Sequence, residues 1–116
     1  MDEYRRTQRR PLDAPVAVLD TIAEVVVGRL GNLSETGMLL VAQGELVDDA
    51  LYQLRFDLPG PAPATVELGA HLLWVSEPGG GGVRWAGLRF INVPPAHAHA
   101  LRAWLQAGGM GEAPTA

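Results

Sequence analysis

Short apolar runs recur along the chain up to residue 91, and turn-forming residues separate them. In the run at residues 51–58, the side chains from Tyr52 onward alternate between apolar and polar, which is typical of a strand with one buried face. Gly28 and Gly31 fall inside another run and predict bulges or bends there. Six strands at this spacing predict an antiparallel barrel or sandwich, because closing a sheet removes its exposed edges. The predicted strands cover residues 15–19, 22–33, 37–42, 51–58, 65–76 and 83–91.

The apolar period changes to that of a helix after the proline pair at 94–95. The spacing predicts one amphipathic helix of about three turns that packs against the sheet. We expect it to end at the glycine pair that opens residues 108–116, a segment predicted to be a disordered tail. Trp85 and Trp104 are both predicted to be core residues. The apolar face of the helix comprises Ala98, Leu101, Trp104 and Leu105.

Length and composition predict one small globular domain. The 116 residues are 47 % apolar, which is sufficient for a packed core, and the domain is expected to span residues 11–107. The chain has no cysteine, which excludes disulfides and thiolate metal sites and fits a reducing cytoplasm. We find no secretory signal and no apolar run of membrane-spanning length, so we expect a cytoplasmic protein without membrane insertion.

Positive charge is concentrated at the start of the chain. The first ten residues hold four arginines against two acids, a balance of +2, whereas the remaining residues carry five arginines and eleven acids, a balance of −6. A protein that binds DNA or RNA usually presents a broad basic face. A short basic segment on an acidic chain suits a small anion better, so we do not predict a nucleic-acid partner.

Two local motifs stand out from this background. Residues 5–10 contain the spacing R-x-x-x-R twice, in Arg5 with Arg9 and in Arg6 with Arg10. Residues 32–37 read Asn-Leu-Ser-Glu-Thr-Gly, which fits [D/N]-x-S-x-x-G between two strands. Each motif alone has an ordinary explanation, since terminal arginines often form a solvated tail and N-x-S-x-x-G is a common turn.

The two motifs together, in this order and followed by strands and one helix, resemble the PilZ family. The resemblance covers residues 4–106 and includes the lead into the first strand at 9–16, Trp74, and the stretch 86–90. It implies a mainly β fold, a six-stranded antiparallel β-barrel with one C-terminal α-helix. It also implies a bacterial receptor for the second messenger cyclic di-GMP that catalyses no reaction.

The resemblance implies a ligand site built from both motifs. An arginine fork matches the N7 and O6 acceptors of guanine, and arginine also pairs with phosphate. The Asn32 carbonyl and the Ser34 hydroxyl are expected to accept from the other guanine edge. Gly37 is expected to allow an unusual backbone conformation and close approach to the ligand. The implied ligand-binding residues are Arg5, Arg6, Arg9, Arg10, Asn32, Ser34 and Gly37, with Trp74 as a further possible contact.

Two questions about this site stay open on the sequence. Arg5, Arg6 and Arg9 match the family pattern better than Arg6 with Arg10, but both registers fit. Family members bind one nucleotide or a stacked pair. We expect residues 1–10 to be a flexible switch segment that becomes ordered over the barrel when the nucleotide binds.

Other functions fit the sequence less well. No nucleophile elbow surrounds Ser34, and His97 and His99 are spaced to face different directions on a helix, so we predict no catalytic residue, no metal site and no cofactor. The main alternative is a PilZ-like adaptor that acts by protein–protein interaction without binding nucleotide. In either case the signal must pass to an unidentified downstream protein.

Overall fold

The computed structural model describes residues 10–11, 15–61, 63–77 and 83–112. Most of the predicted switch segment, residues 1–9, and the end of the predicted tail, residues 113–116, lie outside the described residues. The described chain forms seven strands and one helix. They are β1 (Arg10–Pro11), β2 (Ala17–Asp20), β3 (Val25–Leu33), β4 (Gly37–Ala42), β5 (Leu51–Leu58), β6 (Ala64–Val75), β7 (Arg84–Asn92) and α1 (Pro95–Glu112).

Six of the strands close into an antiparallel barrel. Their order is β3-β2-β5-β6-β7-β4, and β4 pairs back onto β3. The predicted barrel is therefore confirmed, and the sandwich alternative is wrong. Strand β1 is an addition to the predicted set, and it pairs with the end of β3 beyond the part that β2 occupies.

The barrel interior is filled by the apolar positions that the alternating pattern marked. Leu54, Phe56 and Leu58 on β5 are almost fully buried, whereas Arg55 and Asp57 between them are exposed. Burial of each such side chain stabilises the fold by roughly 1.5–3 kcal/mol relative to leaving it in water. The core of the domain is thus the inside of the barrel.

Both bulges predicted in β3 are present. Gly31 is the extra residue where the pairing with β4 passes from Leu30 to Asn32. The second irregularity, against β2, falls directly beside Gly28. A Cβ at Gly28 would overlap the carbonyl oxygen of Val41, so only glycine fits there. The bulges bend β3 around the barrel wall and set the position of its final residues.

Helix α1 packs against the barrel as its apolar stripe predicted. Leu101 and Trp104 are buried in the core cluster. Trp104 Nε1 donates a hydrogen bond to the Pro59 carbonyl at 2.7 Å. At the other end of the helix, the backbone N–H of Glu67 donates to His97 Nδ1 at 3.0 Å. The helix is therefore fixed to the barrel at both its first and its middle turns.

The predicted end of the helix is wrong. Helix α1 continues through the glycine pair at 108–109 and ends at Glu112, so residues 108–112 are not a separate tail. Each glycine lowers helix stability by about 1 kcal/mol but keeps the backbone N–H that proline would remove, so the hydrogen-bond ladder continues. Within the described residues, no helix combines the length and apolar character required to cross a bilayer.

Candidate ligand-binding site

The turn between β3 and β4 is held together by one buried serine. The Ser34 hydroxyl donates to the Gly37 carbonyl at 3.2 Å and accepts from the Gly37 N–H at 3.1 Å and the Thr36 N–H at 3.3 Å. We predicted Ser34 as a ligand contact. In this structure its side chain is fully buried and its hydrogen bonds stay within the turn. The hydroxyl therefore fixes the shape of the turn.

Gly37 serves strand packing. It is buried and pairs with Arg89 of β7, and a Cβ at this position would overlap the Leu88 carbonyl oxygen. The expectation of an unusual conformation is wrong, because Gly37 is not among the described glycines with positive φ. Because Gly37 has no side chain, β7 can approach the turn closely. Gly37 and Ser34 together fix where β3 ends.

Asn32 lies on the outside of the barrel in a row that crosses four strands. It pairs with Leu39 of β4, Leu39 pairs with Gly87 of β7, and Gly87 pairs with Trp74 of β6. Paired residues present their side chains on the same face of a sheet. A pocket of about 250 Å³ lies along this row and includes Asn32 and Trp74 among its lining residues.

Trp74 forms the far wall of this pocket. A Cβ on Gly87 would overlap the indole ring, so the ring lies directly over the Gly87 backbone, while 46 % of the residue stays exposed. Leu73 is the extra residue of a bulge in β6 and is also exposed. The pocket therefore has the Asn32 amide on one side and an aromatic surface on the other, and a ligand contact at Trp74 stays a prediction.

The arginine segment enters the fold beside Asn32. Arg10 pairs with Leu33, and Pro11 pairs with Asn32, in the antiparallel ladder between β1 and β3. The sequence motifs are thus adjacent through their main chains, although about 20 residues separate them along the chain. The other predicted arginines, Arg5, Arg6 and Arg9, lie outside the described residues.

Two exposed residues of β7 were missed as candidate site residues. Trp85, predicted to be core, is 42 % exposed, and its ring lies against Gly31, next to Asn32. Arg89 is exposed and pairs with Gly37 at the end of the turn. The alternation of side chains along β7 could have identified both residues as outward-facing. Ala86 and Leu88 are buried, so positions 85, 87 and 89 share the outer face.

The described residues show few other polar constellations. Arg102 of α1 contacts Glu35 of the turn at 3.3 Å, and His71 Nε2 lies 2.6 Å from Asp49 Oδ1. In the described part of the chain, no three histidine or acidic side chains are grouped as metal ligands would be. The Asn32 amide, the Trp74 indole and the incoming strand β1 meet on the outer wall of the barrel.

Comparisons with known proteins identify relatives of this fold. The family model described as PilZ domain matches residues 3–107. YcgR from Escherichia coli in complex with c-di-GMP superposes with a TM-score of 0.76 at 20 % identity, over 97 % of this chain and 49 % of that one. The PilZ domain of YcgR with c-di-GMP gives a TM-score of 0.67 at 22 % identity, over 97 % and 99 % of the two chains.

A third solved structure, the Bacillus subtilis inhibitor of motility MotI/DgrA, gives a TM-score of 0.73 at 15 % identity, over 93 % of this chain and 52 % of that one. The chain thus spans about half the length of MotI and of full-length YcgR. At these identities the likeness shows the fold alone. No curated protein shows significant sequence similarity to the chain.

Proposed function

The chain belongs to the PilZ domain family, and on this premise we propose that it is a receptor for cyclic di-GMP that relays the signal to a partner protein and catalyses no reaction. The observation that carries the proposal is the pairing of β1 with the end of β3, in which Pro11 lies opposite Asn32, a residue that lines the pocket. The nucleotide in the YcgR structures supports the choice of ligand. We expect the protein to act in the bacterial cytoplasm.

Guanine recognition is assigned to Asn32 and Trp74. The Asn32 carbonyl is an acceptor for the N–H donors of the guanine Watson–Crick edge, and the exposed indole of Trp74 offers a surface on which a base stacks. Ser34 and Gly37 contribute indirectly in this proposal, because they hold the turn that follows Asn32 at the end of β3. Arg89 adds a positive charge beside the turn, where a phosphate is favoured.

The remaining positive charge comes from the arginine segment. Arg10 pairs with Leu33, whose side chain is buried, and Pro11 pairs with the outward Asn32. Side chains alternate between the faces of a strand. If the nucleotide extends β1 by one residue, Arg9 joins the face of Asn32. The alternation of side chains along β1 therefore favours the register of Arg5, Arg6 and Arg9 over that of Arg6 with Arg10.

Relay of the signal is assigned to the same segment. Two phosphates attract the arginines of residues 1–10, and their capture orders this segment over the outer wall of the barrel. The surface that a partner protein meets then differs between the free and bound states. Arg102 of α1 already contacts Glu35 in the turn, so the ordered segment would also lie close to the helix.

Isothermal titration calorimetry with cyclic di-GMP tests this function. We expect binding to the wild-type chain, with a shallow salt dependence because only two phosphates are neutralised. Arg9→Ala should weaken binding at least about tenfold, through loss of a charge-assisted contact. Arg55→Ala is the matched control, because Arg55 is exposed on β5 away from the pocket and should bind as wild type.

The same titration gives the number of nucleotides bound per chain. Absence of binding to the wild-type chain would overturn the proposal and would favour the adaptor that acts without nucleotide. Equal losses in the Arg9 and Arg55 variants would show that only general charge matters, which would also contradict the assigned site.

A further inference from the structure

A second concavity lies on the outer wall of the barrel, next to the pocket at Asn32. We call it the Arg29 groove. Its volume is about 390 Å³, and it runs over β3 and β4 between the start of β2 and the start of β7. The residues that matter for its chemistry are Pro15, Ala17, Val26, Arg29, Val41 and Val83.

Exposed valines stand in the walls of the Arg29 groove, whose described lining also includes the polar Gln43. Val26 and Val83 remain 43 % and 41 % accessible, and Trp85, the register partner of Val41, stands beside them. Exposed valines around one concavity, with an exposed tryptophan at its border, are typical of an interaction surface. Single exposed apolar residues would need no such explanation.

Arg29 supplies the positive charge among the described lining residues of this groove. Its cross-strand partners are Ala17 on one side and Val41 on the other, and it forms no ion pair within the described residues. A guanidinium flanked by apolar walls favours a carboxylate, which it can bind through two parallel hydrogen bonds.

The closed barrel restricts how a protein can bind here. The strands under the groove, β3 and β4, pair with each other and with β2 and β7 on their outer sides. A partner therefore cannot add a strand to the sheet at this groove. Recognition must therefore use side chains that enter the groove. A cyclic dinucleotide fits less well, because it carries two phosphates and Arg29 is the one cation among the described lining residues.

We propose that the Arg29 groove is a docking site for a segment of a partner protein that carries one carboxylate flanked by apolar side chains. The apolar side chains occupy the walls at Val26 and Val83, and the carboxylate pairs with Arg29. Trp85 separates this groove from the pocket at Asn32, since its ring lies against Gly31. The proposal goes beyond the proposed function and does not depend on nucleotide binding.

Selection from a displayed library of random short peptides, with the full chain as bait and no nucleotide present, tests this docking site. We expect the enriched sequences to share an aspartate or glutamate between apolar residues. The enriched peptide should bind Arg29→Gln about tenfold more weakly than wild type in fluorescence anisotropy. Arg55→Gln is the matched control and should bind the peptide as wild type.

Exchanging the charges of residue 29 and of the peptide distinguishes a loss of recognition from a loss of folding. Arg29→Glu should reject the selected peptide and accept a version in which its acid is replaced by lysine. Any of three results would overturn the proposal. No acidic–apolar sequence is enriched, the Arg29 and Arg55 variants weaken peptide binding equally, or Arg29→Glu does not bind the lysine-containing peptide. A lower cyclic di-GMP stoichiometry in Arg29→Gln would also overturn it, because the groove would then be a nucleotide site.

Discussion

Pro11 lies opposite Asn32 in the antiparallel pairing of β1 with β3. This pairing is only two residues long, yet it joins segments that are distant in the sequence and fixes where the basic end of the chain meets the outer wall. Backbone pairing brings neighbouring strands to about 4.8 Å, so side chains on the shared face are within reach of one small ligand.

Asn32→Ala should weaken cyclic di-GMP binding about tenfold or more while the fold is kept. The variant removes the acceptor proposed for the guanine edge, and a good base contact contributes roughly 1–3 kcal/mol. Calorimetry measures the loss, and Asn92→Ala, an exposed asparagine on β7, is the matched control. Unchanged affinity in Asn32→Ala would remove Asn32 from the site.

Ser34→Ala should lower the free energy of unfolding by about 1–3 kcal/mol. The substitution leaves the N–H groups of Thr36 and Gly37 without their buried acceptor. Urea denaturation measures the change. The control is Ser76→Ala. The Ser76 hydroxyl also accepts a hydrogen bond from a backbone N–H, that of Trp85, but it is in an exposed setting where water can replace it. Equal stabilities of the two variants would contradict the structural role of Ser34.

Trp74→Ala should weaken nucleotide binding by about 1–3 kcal/mol, because the base loses its stacking surface. Trp74→Phe should recover most of the affinity, since an aromatic face remains over Gly87. Calorimetry compares the three proteins, and circular dichroism checks that the barrel is intact. A phenylalanine variant as weak as the alanine variant would show that Trp74 contributes something other than stacking.

Much of the fold follows from the alternation of side chains. The predicted strands at residues 37–42 and 51–58 have the observed bounds, and the others agree to within three residues at each end. Closure of the barrel does not follow in the same way, because the pairing of β4 with both β3 and β7 depends on contacts between distant segments. Alternation within one strand contains no information about its neighbours.

The sequence indicated which residues could form the candidate site better than it indicated what each residue does there. The motif spacing indicated Asn32 as a candidate. It could not show whether Ser34 hydrogen-bonds a ligand or its own backbone, because only the burial of the side chain distinguishes these two roles. Trp85 was misassigned because tryptophan is usually well buried, whereas its parity with Arg89 on β7 places it outside. The helix end was missed because glycine weakens a helix without stopping it.

Leu101→Ala should lower the free energy of unfolding by about 2–5 kcal/mol, because Leu101 is buried where α1 meets the barrel. The neighbouring Arg102→Ala should change it by less than about 1 kcal/mol, since the contact with Glu35 is half exposed and screened by water. Thermal or urea unfolding compares the pair. Similar losses in both would contradict the packing assigned to the helix.

The location of the nucleotide is tested most directly by recording amide and indole NMR spectra of the isotope-labelled chain during a titration with cyclic di-GMP. We expect the largest shifts at Asn32, Leu33 and the Trp74 indole, together with slower backbone motion of residues 1–10 in the bound state. Shifts centred on β5 or on the far end of α1, with residues 1–10 unaffected, would contradict it.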